Sequence, residues 1–588
     1  MNHLTKLKTV IKDSYIHIIL IILVAFLLCT PLCTKGFYWS HDGVYHISRN
    51  YSTNSELLSK QFPPLIEPSF VKGFGYAWNI FYPPLETYIS SIFSLFTSIL
   101  KALKLTIILS MTLSGITMFA LMKKITKNNN LSFLTAIIYM SAPYYLSDIY
   151  TRMAMGEVIS YMFFPILFYG LYDIFYDKGK QNYFLAIGAL GIILSHNIST
   201  LLAVIISGIF VLINIKKLFS KNSRLHIWKH LIINSIFIIL ISIFFYGPFL
   251  EHKTSTEYGA FVWITPKDRF ISLSIYPSQL FFSKPHADWA STLTSNTLNS
   301  CMSYELGLPI IIALFFTPTV ISKIKKENKL LYITTLCSGI LFALMATSIF
   351  PWKYIPLVPS VIQFPWRFLL LATFTLSIIA GINIYYSINA TTLQNIFIPI
   401  LIIIIYAGSY ISDSVQYDIY YDISYLYNNE ILQQKQCAAY EYLPVKAQTN
   451  LEYIEQRSNG VIVTSGTATI ENEQKNESNM TFTIKESSEN TTLELPYIYY
   501  LGYNIKINGT QIDYNESDKG FIQITIPEYS NASVEVTYTG TKLEKISLGI
   551  SIVSFLAFIG YVIYTEKNRK HQEWCFLQNL YNFIWQMH

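Results

Sequence analysis

Residues 230–249 read HLIINSIFIILISIFFYGPF, an unbroken run without Asp, Glu, Lys or Arg. An apolar run of about 18 or more residues is long enough to cross the hydrocarbon core of a bilayer. Working outward from it, eleven more segments have the same character: 15–33, 103–122, 131–147, 157–176, 182–195, 198–214, 306–321, 330–349, 367–386, 395–411 and 546–564. A further stretch, 85–100, is apolar but fits alternation poorly, and reads as a re-entrant or interfacial helix or as part of a broken long one. The sequence therefore predicts a polytopic α-helical membrane protein with about 12–13 transmembrane helices. Composition agrees. Of 588 residues only 13% are charged, where a soluble chain carries about a quarter. Mean hydropathy is +0.37.

Lys and Arg in short loops set the orientation. Lys6, Lys8 and Lys12, then Lys123 to Lys127, Lys178 with Lys180, Lys216 to Lys229, Lys323 to Lys329, and Lys567 to Lys570 all fall on one side if the twelve segments span and 85–100 does not. That side is predicted to be the cytoplasm of a plasma membrane, with both termini inside and the first run retained as an uncleaved helix. The net charge of +6 sits in these loops and does not point to nucleic acid. Six Cys form neither a disulfide framework nor a CxxC pair.

From 412 to 545 the composition turns polar. Short alternating stretches such as Met480–Ile484, Tyr503–Ile507, Phe521–Ile526 and Ser533–Tyr538 read as about seven strands of a β-sandwich. Asn508-Gly509 marks a type I′ hairpin. The expected organisation is a membrane domain over 1–411 with large outer loops at 34–84 and 251–305, an extracytoplasmic β-domain over 412–545, a last helix over 546–564, and a basic, aromatic cytoplasmic tail over 565–588.

Five polar signals fall on the predicted outer face. Phe37 to Arg49 contains His41, Asp42, His46 and Arg49; if helical, Asp42, His46 and Arg49 share one face. A carboxylate there could be a general base or bind a cation, and Arg49 could pair with phosphate oxygens. A membrane-interface helix is the bland alternative. Lys72 to Glu86 holds five aromatic residues, Tyr82 among them, which could stack on sugars or anchor a loop to the interface. Pro143 to Glu157 carries Asp148, Arg152 and Glu157 near a helix mouth, as functional charges or as a structural salt bridge. Ser195-His196-Asn197 lies between two helices, and a hydrogen-bonded packing role explains it equally well. The fifth signal combines Pro248 to Lys253 with Gln363 to Arg367; Arg367 suits a lipid phosphate or simple snorkelling to the interface. There is no GxxxxGK[ST], no HExxH, and no pair of broken helices repeated in two halves, which disfavours ATP-driven and inverted-repeat transport.

These residues resemble those of the GT-C superfamily of membrane glycosyltransferases. More closely, the chain is similar to the bacterial membrane proteins labelled "6-pyruvoyl-tetrahydropterin synthase related" and to the neighbouring YfhO-like proteins. The features that carry the resemblance are Trp39 to Asp42, Gly73 to Tyr76 with Phe81 to Pro84, Tyr150 to Arg152 with Glu157, Ser195 to Asn197, and Phe364 to Arg367. The pterin label implies no activity, because pterin synthases are small soluble zinc enzymes. The GT-C resemblance implies a sugar transfer from a polyprenyl-phosphate donor to a cell-envelope glycan or lipid acceptor on the outer face, with membrane lipids around the enzyme. Asp42 would then be catalytic, with His41 beside it. His46, Tyr82, Glu157 and His196 would bind substrate; Arg49, Arg152 and Arg367 join them as candidates for the lipid phosphate on charge and position and not on a family motif; and any divalent cation, magnesium or manganese, would rest on Asp42. A non-enzymatic translocator or assembly factor for lipid-linked envelope polymers, and a membrane-anchored polymer-binding protein, are the alternatives.

Overall fold

The computed structural model describes residues 2–262, 267–282, 302–355, 357–389, 391–420, 437 and 440–586. Parts of the predicted loop 251–305, of the segment 412–545 and of the tail 565–588 lie outside the described residues.

The chain is mostly helical. Among the described residues, seven helices are long and apolar enough to cross a membrane: Ile99–Thr126, Met155–Tyr176, Arg224–Ser255, Lys326–Met345, Pro365–Ser387, Leu393–Ser414 and Lys542–Arg569. The remaining five of the twelve expected segments are helical but short or divided. The first stops at Leu28 and turns through Thr30–Cys33. Segment 131–147 splits into Asn129–Met140 and Pro143–Ser147, and 306–321 into Leu308–Phe315 and Thr317–Val320. Segment 182–195 shortens to Phe184–Ile193, and 198–214 is the 17-residue helix Asn197–Ile213, short of a full span. Proline explains the divisions. Pro31, Pro143 and Pro318 each lack the N–H that would continue the ladder, and Ala142 before Pro143 is extended. Hydropathy sums register none of this. The stretch 85–100 contains a separate helix, Leu85–Ser94, cut from Ile99–Thr126 by extended Ser98.

Two antiparallel sheets follow the helix Leu393–Ser414, after a two-stranded pairing that joins distant parts of the chain: β1 (Phe37–Trp39) lies against β2 (Gln416–Tyr420). The sheet domain contains β3 (Ile462–Ser465), β4 (Ala468–Asn476), β5 (Asn479–Ser487), β6 (Thr491–Ile498), β7 (Tyr503–Ile507), β8 (Thr510–Ile512), β9 (Asn515–Glu516), β10 (Phe521–Ile526) and β11 (Tyr529–Tyr538). Their orders are β3-β6-β10-β9 and β4-β5-β11-β7-β8. β7 and β8 meet at Asn508-Gly509, both with positive φ, as the type I′ turn requires. In β5 and β11 burial alternates, because one face meets the core. In β6 every residue is buried.

The second face of that strand is covered by the chain before the helix Leu85–Ser94. Phe74 packs edge-on to Phe521, its carbonyl accepts from the Ile498 N–H at 2.9 Å, and Lys475 Nζ donates to the Gly73 carbonyl at 2.6 Å. Tyr76 donates through its hydroxyl to the Cys437 carbonyl at 2.8 Å and accepts from the Tyr442 N–H at 3.2 Å. Phe74, Tyr76 and Trp78 are all completely buried. The aromatic stretch at 72–86 is therefore neither an open stacking platform nor an interface anchor: it is half of a shared core that fastens the sheet domain to the helices. Trp78 contacts Tyr45, Phe70 and Tyr76 there. Trp78→Ala is expected to cost about 3–5 kcal/mol, and Phe96→Ala, at a ring 85% exposed, less than about 0.5 kcal/mol. Equilibrium unfolding in mixed micelles measures both.

Candidate functional site

The His41-Asp42 pair is placed by its backbone. The His41 N–H donates to the Thr151 carbonyl at 3.0 Å and the Asp42 N–H to the Arg152 carbonyl at 2.9 Å. A π-helical turn over Asp148–Arg152 ends there, with Met153 left-handed at φ 55°. Its last carbonyls would lack helical partners, and the first loop supplies them. Asp42 then starts the helix Gly43–Leu58 at its N-cap position but makes no side-chain cap bond. A carboxylate at this position ordinarily turns back onto the first turn; here it is half-buried and uncommitted to the helix. Gly43 makes room here: a Cβ would lie 2.3 Å from Ser40 Oγ, which would have to rotate away.

One turn further, His46 and Arg49 face inward. Arg49 is fully buried. Its guanidinium reaches Glu86 Oε2 at 3.4 Å, Asn79 Oδ1 at 3.0 and 3.2 Å, and the Tyr82 and Pro83 carbonyls at 3.2 and 2.8 Å. His46 Nδ1 lies 3.6 Å from the same Glu86 oxygen. The expected phosphate contact of Arg49 is thus replaced by protein acceptors, and Asp42, His46 and Arg49 do not act on one open face.

Arg152, Glu157 and Arg367 come together from three segments. Glu157 Oε1 accepts from Arg152 at 3.0 Å and from Arg367 Nε at 3.0 Å. Arg152 also pairs with Asp148 Oδ1 at 2.5 Å, and Tyr144 donates to Glu157 Oε2 at 3.2 Å. Arg367 Nη1 donates to the Ile362 carbonyl at 3.0 Å and to Gln363 Oε1 at 2.6 Å. Its Nη2 has no protein acceptor among the described residues. Glu157 and both arginines are at least nine-tenths buried, so none of these charges could persist without its partners.

Tyr82 joins the two halves. Its ring lies 4.5 Å from the Arg49 guanidinium carbon, 5.8 Å from the His46 ring and 6.1 Å from the His196 ring. Gly156 permits this, since a Cβ there would meet the Tyr82 hydroxyl at 2.6 Å, the Ser195 carbonyl at 2.8 Å and His196 Cβ at 3.0 Å. His196 caps the helix Asn197–Ile213 through Nδ1, which accepts from the Ser199 N–H at 3.3 Å. That bond assigns the ring hydrogen to Nε2. Burial, and after it the Arg367 guanidinium, push His196 down to about 3, so the ring is a neutral donor.

Sequence reasoning missed Glu441, Glu86 and Gly156. Glu441 lies within electrostatic reach of both Asp42 and Arg367, and burial together with the Asp42 charge pushes its carboxyl up to about 7. It lies in a polar stretch where acids are common, so nothing in the sequence marked it. Among the described residues Asp42 belongs to no trio of metal-ligating side chains. The described residues do not assemble a cation shell there. A cavity of about 400 Å³ lies apart from these groups, lined by Leu131, Phe168, Phe210, Tyr332 and Phe374 with Lys127 and Lys325.

No family model matches the chain. A protein of Lactococcus lactis subsp. cremoris (strain MG1363), described as an uncharacterized protein, is 26% identical over 351 residues, which cover 58% of this chain. The match spans 55% of that relative's length, so the chain covers about half of it.

Two outcomes follow from the charges. Glu157→Gln removes the carboxylate that Arg152 and Arg367 share, leaving Asp148 to Arg152 and no ionic partner to Arg367 among the described residues, and is expected to cost about 3–5 kcal/mol; adding Arg367→Met should return part of this in a double-mutant cycle. Glu441 gives a pH slope. The folded protein keeps its proton up to about 7, against an ordinary value of 4.5. The folded state therefore binds more protons in that window, and stability falls as pH rises through it. Thermal melts of Glu441→Gln against wild type between pH 4.5 and 7 should show that slope reduced.

Proposed function

We propose that the chain is a membrane glycosyltransferase of the GT-C kind, moving a sugar from a polyprenyl-phosphate carrier to a cell-envelope acceptor on the outer face of the plasma membrane. The observation that carries the reading is convergence. Asp42, Tyr82, His196 and the pair Arg152–Arg367 arrive from separate segments at one place beside the sheet domain, and Arg367 keeps one guanidinium edge for a ligand. On this reading both termini are cytoplasmic and the sheet domain lies outside.

In the proposed step the Asp42 carboxylate takes the proton of an acceptor hydroxyl. The acceptor oxygen bonds to the anomeric carbon from the side opposite the phosphate. The bond from that carbon to the phosphate oxygen breaks, and its electron pair leaves with the polyprenyl phosphate. The products are a glycoside of inverted configuration, the free carrier phosphate and protonated Asp42. Arg367 Nη2 offsets the charge growing on the leaving oxygen. His196 Nε2–H donates toward the sugar or phosphate, and the Tyr82 ring walls the site. Glu441, which keeps its proton up to about 7, holds a proton near Asp42 below that pH without adding a second negative charge.

Purified wild type and Asp42→Asn, reconstituted in vesicles, are compared for sugar release from a panel of polyprenyl-phosphate donors, with melts as a folding control. Loss of about 100-fold or more in the folded variant is expected of a general base. If no donor is consumed and cells carrying Asp42→Asn behave as wild type, a polymer translocator becomes the better account.

A further inference from the structure

Outside this site, one cluster of ligand-type side chains has no role yet. Glu251 and His252 lie near the end of the helix Arg224–Ser255, and Glu544 lies in the first turn of the helix Lys542–Gln586. One ligand atom from each lies within 4.8 Å of the others. The second helix leaves β11 directly, so the cluster stands where the sheet domain returns to the helices.

The hydrogen bonds leave coordinating capacity over. Thr541 and Glu544 cap their helix mutually: the Glu544 N–H donates to Thr541 Oγ1 at 3.1 Å, and the Thr541 N–H donates to Glu544 Oε2 at 2.9 Å. Thr541 gives its hydroxyl hydrogen to Glu251 Oε2 at 2.5 Å. Glu544 Oε1 receives only the Tyr538 hydroxyl, at 3.4 Å. Among the described residues neither carboxylate pairs with a Lys or Arg, although Glu544 is 5% exposed. Two carboxylates this close repel, and burial sharpens the repulsion.

His252 supplies the independent sign of a ligand. The ring is fully buried. Its Nδ1 donates to the Pro248 carbonyl of its own helix at 2.9 Å. That bond leaves the lone pair on Nε2, a buried atom with no hydrogen-bond partner. The Leu501 carbonyl is also within hydrogen-bonding reach of the ring, and Nε2 can serve it only as a donor, while protonated. No contact within 4.0 Å joins the imidazole to either carboxylate, so the trio is not a direct ion pair. A backbone-anchored Nδ1–H with an open Nε2 is the arrangement of a metal-ligating histidine.

We propose that Glu251, His252 and Glu544 bind one divalent cation of the zinc class. Two carboxylates and an imidazole suit zinc or manganese better than calcium, which prefers oxygen alone. The ligand atoms need to close to roughly 3.3 Å apart around a tetrahedral ion. Closing that far asks the Glu251 and Glu544 side chains to turn toward the ring. The ion would cancel the carboxylate repulsion and tie β11, the last helix and the helix Arg224–Ser255 into one joint. This site owes nothing to the glycosyltransferase reading.

The test is metal content and stability of the full chain. Chelator-stripped protein is dialysed against zinc, and separately against manganese, and bound metal is counted per chain. Wild type is expected to hold one ion and to melt at higher temperature with it. Glu544→Gln and His252→Asn should each bind at least about tenfold more weakly and lose the thermal shift, whereas Asp42→Asn should keep both. Cobalt substitution of wild type, read by its visible d–d bands, decides the matter without variants should either fail to fold. Absence of stoichiometric metal and of cobalt bands in wild type, or full binding by both folded variants, overturns the proposal in favour of a proton shared between the carboxylates.

Discussion

A carboxylate buried beside two guanidiniums governs the helical part of this protein. Glu157 cannot stay ionised in an apolar bundle unless positive donors reach it, and Arg152 and Arg367 cannot stay buried without it. The requirement is mutual, and it fixes three segments at once: the turn Asp148–Arg152, the helix from Met155, and the start of the helix Phe368–Ser387. Once the turn is held, its terminal carbonyls are available at one place, and the N–H groups of His41 and Asp42 take them. The position of Asp42 is therefore a consequence of where Glu157 is paired. Replacing a residue far from Asp42 in sequence should move Asp42, which is why the thermodynamic and functional readouts of this network belong together.

Much of this was legible in the sequence. Charged and imidazole side chains in a strongly apolar chain stand out because burying them is expensive, which marks Arg152, Glu157 and His196; Asp42 stands out by the His, Asp and Arg gathered in the first loop and by the resemblance, and Arg367 by its place at a helix mouth. The strands were legible too, since one-sided burial imposes a period of two. What stayed hidden has physical reasons. Hydropathy measures how apolar a segment is and not whether its backbone can continue, so it gives no sign of the divisions at Pro31, Pro143 and Pro318, which account for three of the five segments that are not long helices. β6 was read as alternating because nothing local shows that a loop some 400 residues earlier covers its second face. Arg49 was read as a ligand for phosphate because its acceptors, Glu86, Asn79 and two carbonyls, are found only when the chain is folded.

The charge balance of the cluster bears on what it can hold. Glu157 is shared by Arg152 and Arg367, and burial pushes the Asp148 carboxyl well up, so the cluster keeps positive charge beyond what Glu157 offsets. An anionic ligand on the proposed reading is met at short range, by the one guanidinium edge left over on Arg367 and by the neutral His196 ring. Directional donors in a dry site discriminate better than a diffuse positive field, because only a ligand that fits both receives the bonds.

The sheet domain enters this arrangement through Tyr76. Its hydroxyl bonds to the Cys437 carbonyl and to the Tyr442 N–H, on either side of Glu441. The same residue lies in the loop that carries Tyr82, whose ring stands between His46 and His196. Glu441 and Tyr82 are thus set by one shared core, and neither can shift without disturbing Tyr76, Trp78 and Phe74. A domain that only recognised an acceptor would need no such continuity with the helices. On the proposed reading the sheet domain has a positioning role: the core it shares with the helices sets Glu441 within electrostatic reach of Asp42 and holds the Tyr82 ring in place.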